Sequence, residues 1–177
     1  MGLTIHYQGQ LESEQAYVSF IAEVTWFAEA HGWPLHAIAE RERTMSRMLQ
    51  PEDPEAEEYE DVYVGPTRGV YVLPHAECEP LSFEFDTDLF MQDWCKTQFA
   101  GPVVHRAILE LFRQTEPLFE MLDIQDEAEG WENPDPAHLE RVFASAREAI
   151  AEAAAEMPGS SVAVLTPSGR ILDILGE

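Results

Sequence analysis

The chain has 177 residues, with 34 Asp and Glu against 10 Lys and Arg, for a formal net charge of −24. A chain of this length suits one domain, and at about 150 residues a domain buries roughly 70% of its unfolded surface, so neither disulfides nor metals are needed to hold it. The charge opposes nucleic acid and anionic membranes, which are bound by clustered Lys and Arg, while the 45% hydrophobic content opposes disorder.

Residues 3–9 alternate, with Leu3, Ile5 and Tyr7 against Thr4, His6 and Gln8, which predicts a half-buried strand. Over 13–31 the period changes. Tyr17, Phe20, Ile21, Val24, Phe27, Ala28 and His31 recur at helical spacing, and Gly32 and Pro34 end the helix. Trp26 lies off this stripe. A second strand is expected over 35–40. Arg41, Arg43 and Arg47 then precede a stretch, 52–61, in which seven of ten residues are acidic. Such a block repels itself, so 48–62 is expected to be a mobile acidic insertion.

Gly65–Gly69 predicts a turn and Val70–Leu73 a strand. A proline-bracketed loop, 74–80, leads to the alternating strand 81–86, with Leu81, Phe83 and Phe85 inward. Another strand is expected over 93–99. Gly101-Pro102 opens a helix with Val104, Ile108, Leu111, Phe112, Phe119 and Leu122 on one face, bent at Pro117. Residues 123–135 read as an acidic loop. Asp135-Pro136 starts an alanine-rich helix that ends at Pro158-Gly159. Strands 161–166 and 170–175 form a closing hairpin within 160–177. The expected fold is one α+β domain over 1–177. It is an antiparallel sheet with helices on one face, in the order β-α-β-(insert)-β-β-β-α-α-β-β.

Pairing 81–86 with 93–99 as a hairpin places Phe83 opposite Cys95. Cys78 would then lie roughly 17 Å from Cys95 along the ladder, too far for a disulfide. The same register brings the 75–79 loop beside the helix start. His75, Cys78 and His105, with Glu79 or Glu77, would make a set of zinc donors. Alternatively, His75 and His105 hold an anion at the helix N-terminus, with Cys78 as a nucleophile. Against both stands a plainer account: Cys78 is a small buried apolar side chain and His105 the edge of a core face. Lys96, the only lysine, is expected to pair with Glu84 across the hairpin. Lys96, Thr97, Gln98 and Gly101 are the candidate ligand-binding residues. The acidic run 126–132 lacks the spacing of a calcium loop, and no P-loop, G-x-G-x-x-G, H-E-x-x-H or G-x-S-x-G motif occurs.

Four segments carry a resemblance: Leu3–Tyr7, His75-Ala76-Glu77-Cys78-Glu79-Pro80-Leu81, Lys96-Thr97-Gln98-Phe99-Ala100-Gly101-Pro102 with His105, and the acidic run before Trp131. Over about residues 1–140 the chain resembles an uncharacterised family of bacterial proteins, which brings no activity with it. That family's pattern has Pro at the place of Ala76 and an acidic residue at the place of Val103.

The start, Met1–His6, has no positive segment and no long apolar run. With no stretch near the ~18 apolar residues of a membrane helix, a cytoplasmic location is expected. The best-fitting function is a small acidic binding or accessory protein without catalysis, with a basic protein as its candidate partner. One alternative is a metal- or anion-binding enzyme built on His75, Cys78, Glu79 and His105. Another is an acidic mimic of nucleic acid.

Overall fold

The computed structural model describes residues 3–49, 57–156, 162–165 and 171–174. In chain order these form β1 (Thr4–Leu11), α1 (Glu14–His31), β2 (Leu35–Leu49), β3 (Tyr59–Val72), β4 (Leu81–Phe85) and β5 (Phe90–Lys96). There follow α2 (Pro102–Thr115), a 3-10 turn at Glu116–Leu118, β6 (Phe119–Asp126), α3 (Pro136–Glu156), β7 (Val162–Leu165) and β8 (Ile171–Ile174). The fold is α+β and antiparallel, as the sequence predicts, but the main sheet is divided in two. One sheet has the order β5-β1-β6 and the other β2-β3-β4, while β7 and β8 pair with each other.

Alternation in β1 sets the centre. Ile5, Tyr7 and Leu11 are buried, and His6, Gln8 and Gln10 turn to the opposite face. Ser13 caps α1 by accepting from Ala16 N at 3.2 Å. Gly32 ends it in the left-handed region at φ 68°. The buried stripe of α1 is Ala16, Phe20, Val24, Phe27 and Ala28, and Trp26 is exposed. Phe20 meets Phe83 and Phe85 of β4 and Phe119 of β6 edge-on, with ring centroids 5.1, 5.4 and 5.4 Å away. Each such contact adds about 0.5–1.5 kcal/mol beyond burial, so one ring binds both sheets to α1. A smaller core of Leu3, Ala128, Leu139, Phe143 and Ala146 seats α3.

Four expectations need correction. The helix expected from 101 to beyond 119 stops at Thr115, and Phe119–Asp126 is a strand paired with β1. Pro117 is the reason, since it has no N–H to continue the helix. The turn expected at 65–69 is strand: β2 and β3 pair from Leu35↔Val72 to Leu49↔Tyr59. Gly69 lets this happen. At φ 152° an added Cβ would lie 1.8 Å from the Phe83 carbonyl oxygen of β4. The insertion expected over 48–62 loses both edges to these strands, and its centre, 50–56, lies outside the described residues. Finally, β4 and β5 do not form a ladder: β4 pairs with β3, and β5 with β1.

The β2–β3 arm is held to the rest by Arg47. Its Nη1 lies 2.8 Å from Asp86 Oδ2, and both side chains are buried. The guanidinium sits over the rings of Tyr63 and Phe90, 4.8 and 5.0 Å from their centroids. The other Asp86 oxygen accepts from Asp88 N and Phe90 N, at 2.8 and 2.9 Å. One carboxylate thus holds both the arm and the turn where the chain leaves one sheet for the other. Removing one partner of a buried ion pair strands the other charge. Arg47→Ala is therefore expected to lower stability by about 3 kcal/mol or more, as measured by urea unfolding at pH 7.

Candidate functional site

The sequence candidates separate into two places. His105, in the first turn of α2, points inward and is fully buried. Its Nδ1 is 2.6 Å from Thr97 Oγ1, and its ring packs edge-on against Phe143 at 5.3 Å. Nε2 comes within 3.0 Å of Asp126 Oδ1, but too obliquely for a linear hydrogen bond. Asp126 also accepts from the backbone N–H groups of Ala128, Gly130 and Trp131, at 2.9, 2.6 and 3.1 Å. Burial works to raise the pKa of Asp126. The His105 contact and the amide N–H groups outweigh it and hold the carboxyl below the usual range.

Hydroxyl, imidazole and carboxylate stand here in the order of a nucleophilic triad. No substrate can reach them, since the side chains of Thr97, His105 and Asp126 are sealed from solvent. The Thr97 hydroxyl is also within hydrogen-bond reach of the Leu3 carbonyl, at 3.1 Å. The array is a strut. Gln98 belongs to it too, accepting from Leu3 N at 3.3 Å through Oε1. Gly101 takes φ 90° as the N-cap of α2.

The 74–80 loop goes elsewhere. Glu79 N donates to Lys96 O at 3.2 Å, and Lys96 N donates to Glu79 Oε2 at 3.0 Å. The loop is thereby clipped to the end of β5. His75 is exposed, and its Nδ1 accepts from Glu77 N. His75, Cys78 and Glu79 therefore do not join His105 in one ligand set. No group of three or more His, Cys, Asp and Glu able to hold a metal occurs among the described residues. Cys78 and Cys95 are free thiols, but their sulfurs are 3.5 Å apart. The expected separation of roughly 17 Å fails because it assumed the β4–β5 ladder. The Lys96–Glu84 pairing rested on the same ladder. Lys96 instead lies opposite Thr4 on β1, and Glu84 binds Thr67 Oγ1 at 2.5 Å and Arg43 Nε at 3.4 Å.

A different set of residues gathers around β5. On the sheet face away from the core, His6 lies between Trp94 and Gln125, and Gln8 between Gln92 and Asp123. Gln8 donates to Asp123 at 3.2 Å and accepts from Gln92 at 2.9 Å. Gln92 also reaches the arm: it accepts from Met48 N at 2.9 Å and donates to Met48 O at 2.6 Å. Because β2 is an edge strand, its outward N–H and C=O need a partner, and the side-chain amide supplies one. The arm then walls a cleft of about 390 Å³ with Ser46, Met48 and Glu58. Beyond β5 lies a second cleft, of about 690 Å³, between Arg43 and Tyr71 on one side and Glu79 and Pro80 on the other. Both volumes fall in the range of small-molecule sites.

Asp93 and Trp94 line both clefts. The indole is 56% exposed. Asp93 is mostly buried, and burial raises its pKa. The Trp94 N–H and the Ser82 hydroxyl pull the other way, while the carboxylates of Glu84 and Glu79 add to the rise. A carboxylate whose charge is opposed by its surroundings, in a cleft, is a candidate functional residue. The sequence did hold a signal for it: Phe90, Gln92, Trp94 and Lys96 alternate with Met91, Asp93 and Cys95. Starting the strand at residue 93 hid that pattern. Comparison with protein-family models, curated proteins and solved structures finds no match to this chain.

The two buried carboxylates predict opposite pH effects. The folded pKa of Asp126 is lowered, so its contribution is full above the unfolded value of about 3.9 and is lost as pH falls through the folded value. Asp126→Asn should lower stability at pH 7 by about 3 kcal/mol or more and flatten the loss of stability below about pH 4. Unfolding curves from pH 7 to pH 2 measure both. The folded pKa of Asp93 is raised, so its contribution is full below the unfolded value and is lost as pH rises through the folded one. Asp93→Asn is expected to raise the melting temperature at pH 7.

Proposed function

We propose that the protein is a binding protein without catalysis, and that its ligand brings a cationic group to Asp93 and a flat face to Trp94. The observation that carries this reading is Asp93 itself, a largely buried carboxylate with Glu79 and Glu84 close enough to raise its pKa further. A cation entering there relieves the repulsion among the three. An anion is opposed in the smaller cleft, which among the described residues is lined by Glu58, Asp93 and Asp123 and by no Lys or Arg. In the larger cleft Arg43 already stands 3.4 Å from Glu84, and Glu79 and Asp93 are carboxylates left for a cation. Trp94 offers the ring face over which a cation is attracted. At longer range the net charge of −24 draws cations toward the surface. A free amine satisfies this chemistry, and so does the basic side chain of a cytoplasmic partner protein. The absence of catalysis is supported by the sealing of Thr97, His105 and Asp126, which leaves that array out of reach of a substrate.

Titration calorimetry with spermidine, arginine, a neutral disaccharide and succinate tests the reading. Spermidine or arginine is expected to bind, more weakly as salt is raised, and not to bind Asp93→Asn. Trp94→Ala should weaken binding about tenfold, because a desolvated cation–π contact is worth roughly 1–2 kcal/mol. Binding of succinate alone, or chemical conversion of any of the four, would overturn it.

A further inference from the structure

We propose that Cys78 and Cys95 are a peroxide-responsive dithiol, which closes to an intramolecular disulfide when a hydroperoxide oxidises Cys78. The sulfurs are 3.5 Å apart. A disulfide bond is about 2.05 Å long, so they have only about 1.5 Å to close. The two thiols are unequal in a way that assigns their order. Cys78 is half-buried in the 74–80 loop, whereas Cys95 is fully buried within β5. Only Cys78 is open to a reagent from solvent. Cys95 keeps its proton: the hydrogen bond it shares with the Cys78 thiol, together with burial, pushes its pKa far above the ordinary thiol range.

The backbone around the pair is already arranged for closure. Cys78 sits in a turn closed by its own N–H to the His75 carbonyl at 3.2 Å. Glu79 is clipped to Lys96, the residue after Cys95, by the two bonds between them. Cys95 Sγ donates to the Glu79 carbonyl at 3.3 Å. Each thiol is thus held within one residue of the same backbone clip. The movement left to make belongs to a loop side chain and not to the sheet.

The chemistry balances in two steps. The Cys78 sulfur attacks one peroxide oxygen and the O–O bond breaks. Cys78 becomes a sulfenic acid, and the other oxygen leaves with the thiol proton, as water from hydrogen peroxide or as an alcohol from an organic hydroperoxide. Cys95 sulfur then attacks the Cys78 sulfur, and the sulfenic hydroxyl leaves as water with the Cys95 proton. Two electrons pass from the sulfur pair to the peroxide. A thiol reductant reverses the process by exchange.

Treating the full-length protein with hydrogen peroxide tests this. Intact-mass analysis should show the loss of two hydrogens, with neither cysteine alkylated after unfolding, and dithiothreitol should restore both thiols. Cys95→Ser should accumulate a sulfenic acid on Cys78 that reacts with dimedone. If that variant does not fold, Cys78→Ser serves instead: its Cys95 should stay reduced and alkylatable after the same treatment. Gain of two oxygens on Cys78 with Cys95 still a free thiol, or disulfide-linked dimers in place of the internal bond, would overturn the proposal.

Discussion

The contact between His105 and Asp126 is where the parts of this molecule meet. Asp126 ends β6, His105 opens α2, and Thr97 closes β5 and bonds to Leu3 before β1. The same carboxylate gathers three backbone N–H groups from 128–131 and so shapes the loop that leads to α3. The start of β1, the end of β5, the start of α2 and the end of β6 are tied through three side chains sealed from water. In a low-dielectric setting, removing either His105 or Asp126 leaves the other buried without its partner. The worth of the contact is geometric: it fixes where α2 and α3 leave the sheet, and so leaves the opposite face of β1 free to carry other chemistry.

How much of this the sequence revealed depended on whether local pattern or distant pairing decided the outcome. α1 was legible because its stripe and its Gly32 stop are both local. So was α3, where Ala137 N donates to Asp135 Oδ1 at 3.0 Å as the Asp-Pro start implies. β6 was not legible. Phe119 and Leu122 fit a helical stripe continued from α2, and only Pro117 spoke against it. The strand through 65–69 was hidden by Gly65, Pro66 and Gly69, which locally read as a turn. There the close approach of β4 to Gly69, a long-range fact, overrode the local signal.

The site was less legible than the fold, for a related reason. His75, Cys78 and His105 attracted attention as chemistry-bearing residues, and the assumed β4–β5 ladder brought them together. With β5 paired to β1 instead, His105 belongs to the core and Cys78 to Cys95. Asp93 and Trp94 line both clefts because β5 is the edge strand of its sheet, a property of topology that no local window contains. The burial of Asp93 is also unhelpful to folding, since a charge there is disfavoured.

Gln92 does more than wall a cleft. By bonding both the N–H and the C=O of Met48, it occupies the part of the β2 edge that a foreign strand would use as a template. The arm exposes Met48, Val62 and Val64, a β-prone strip with its backbone at the border. An open edge beside such a strip invites chain-to-chain addition. A side-chain amide blocks pairing there without extending the sheet, and the surrounding carboxylates keep like copies apart. The same glutamine therefore holds the arm over the cleft and leaves the Met48 backbone groups on that edge already paired.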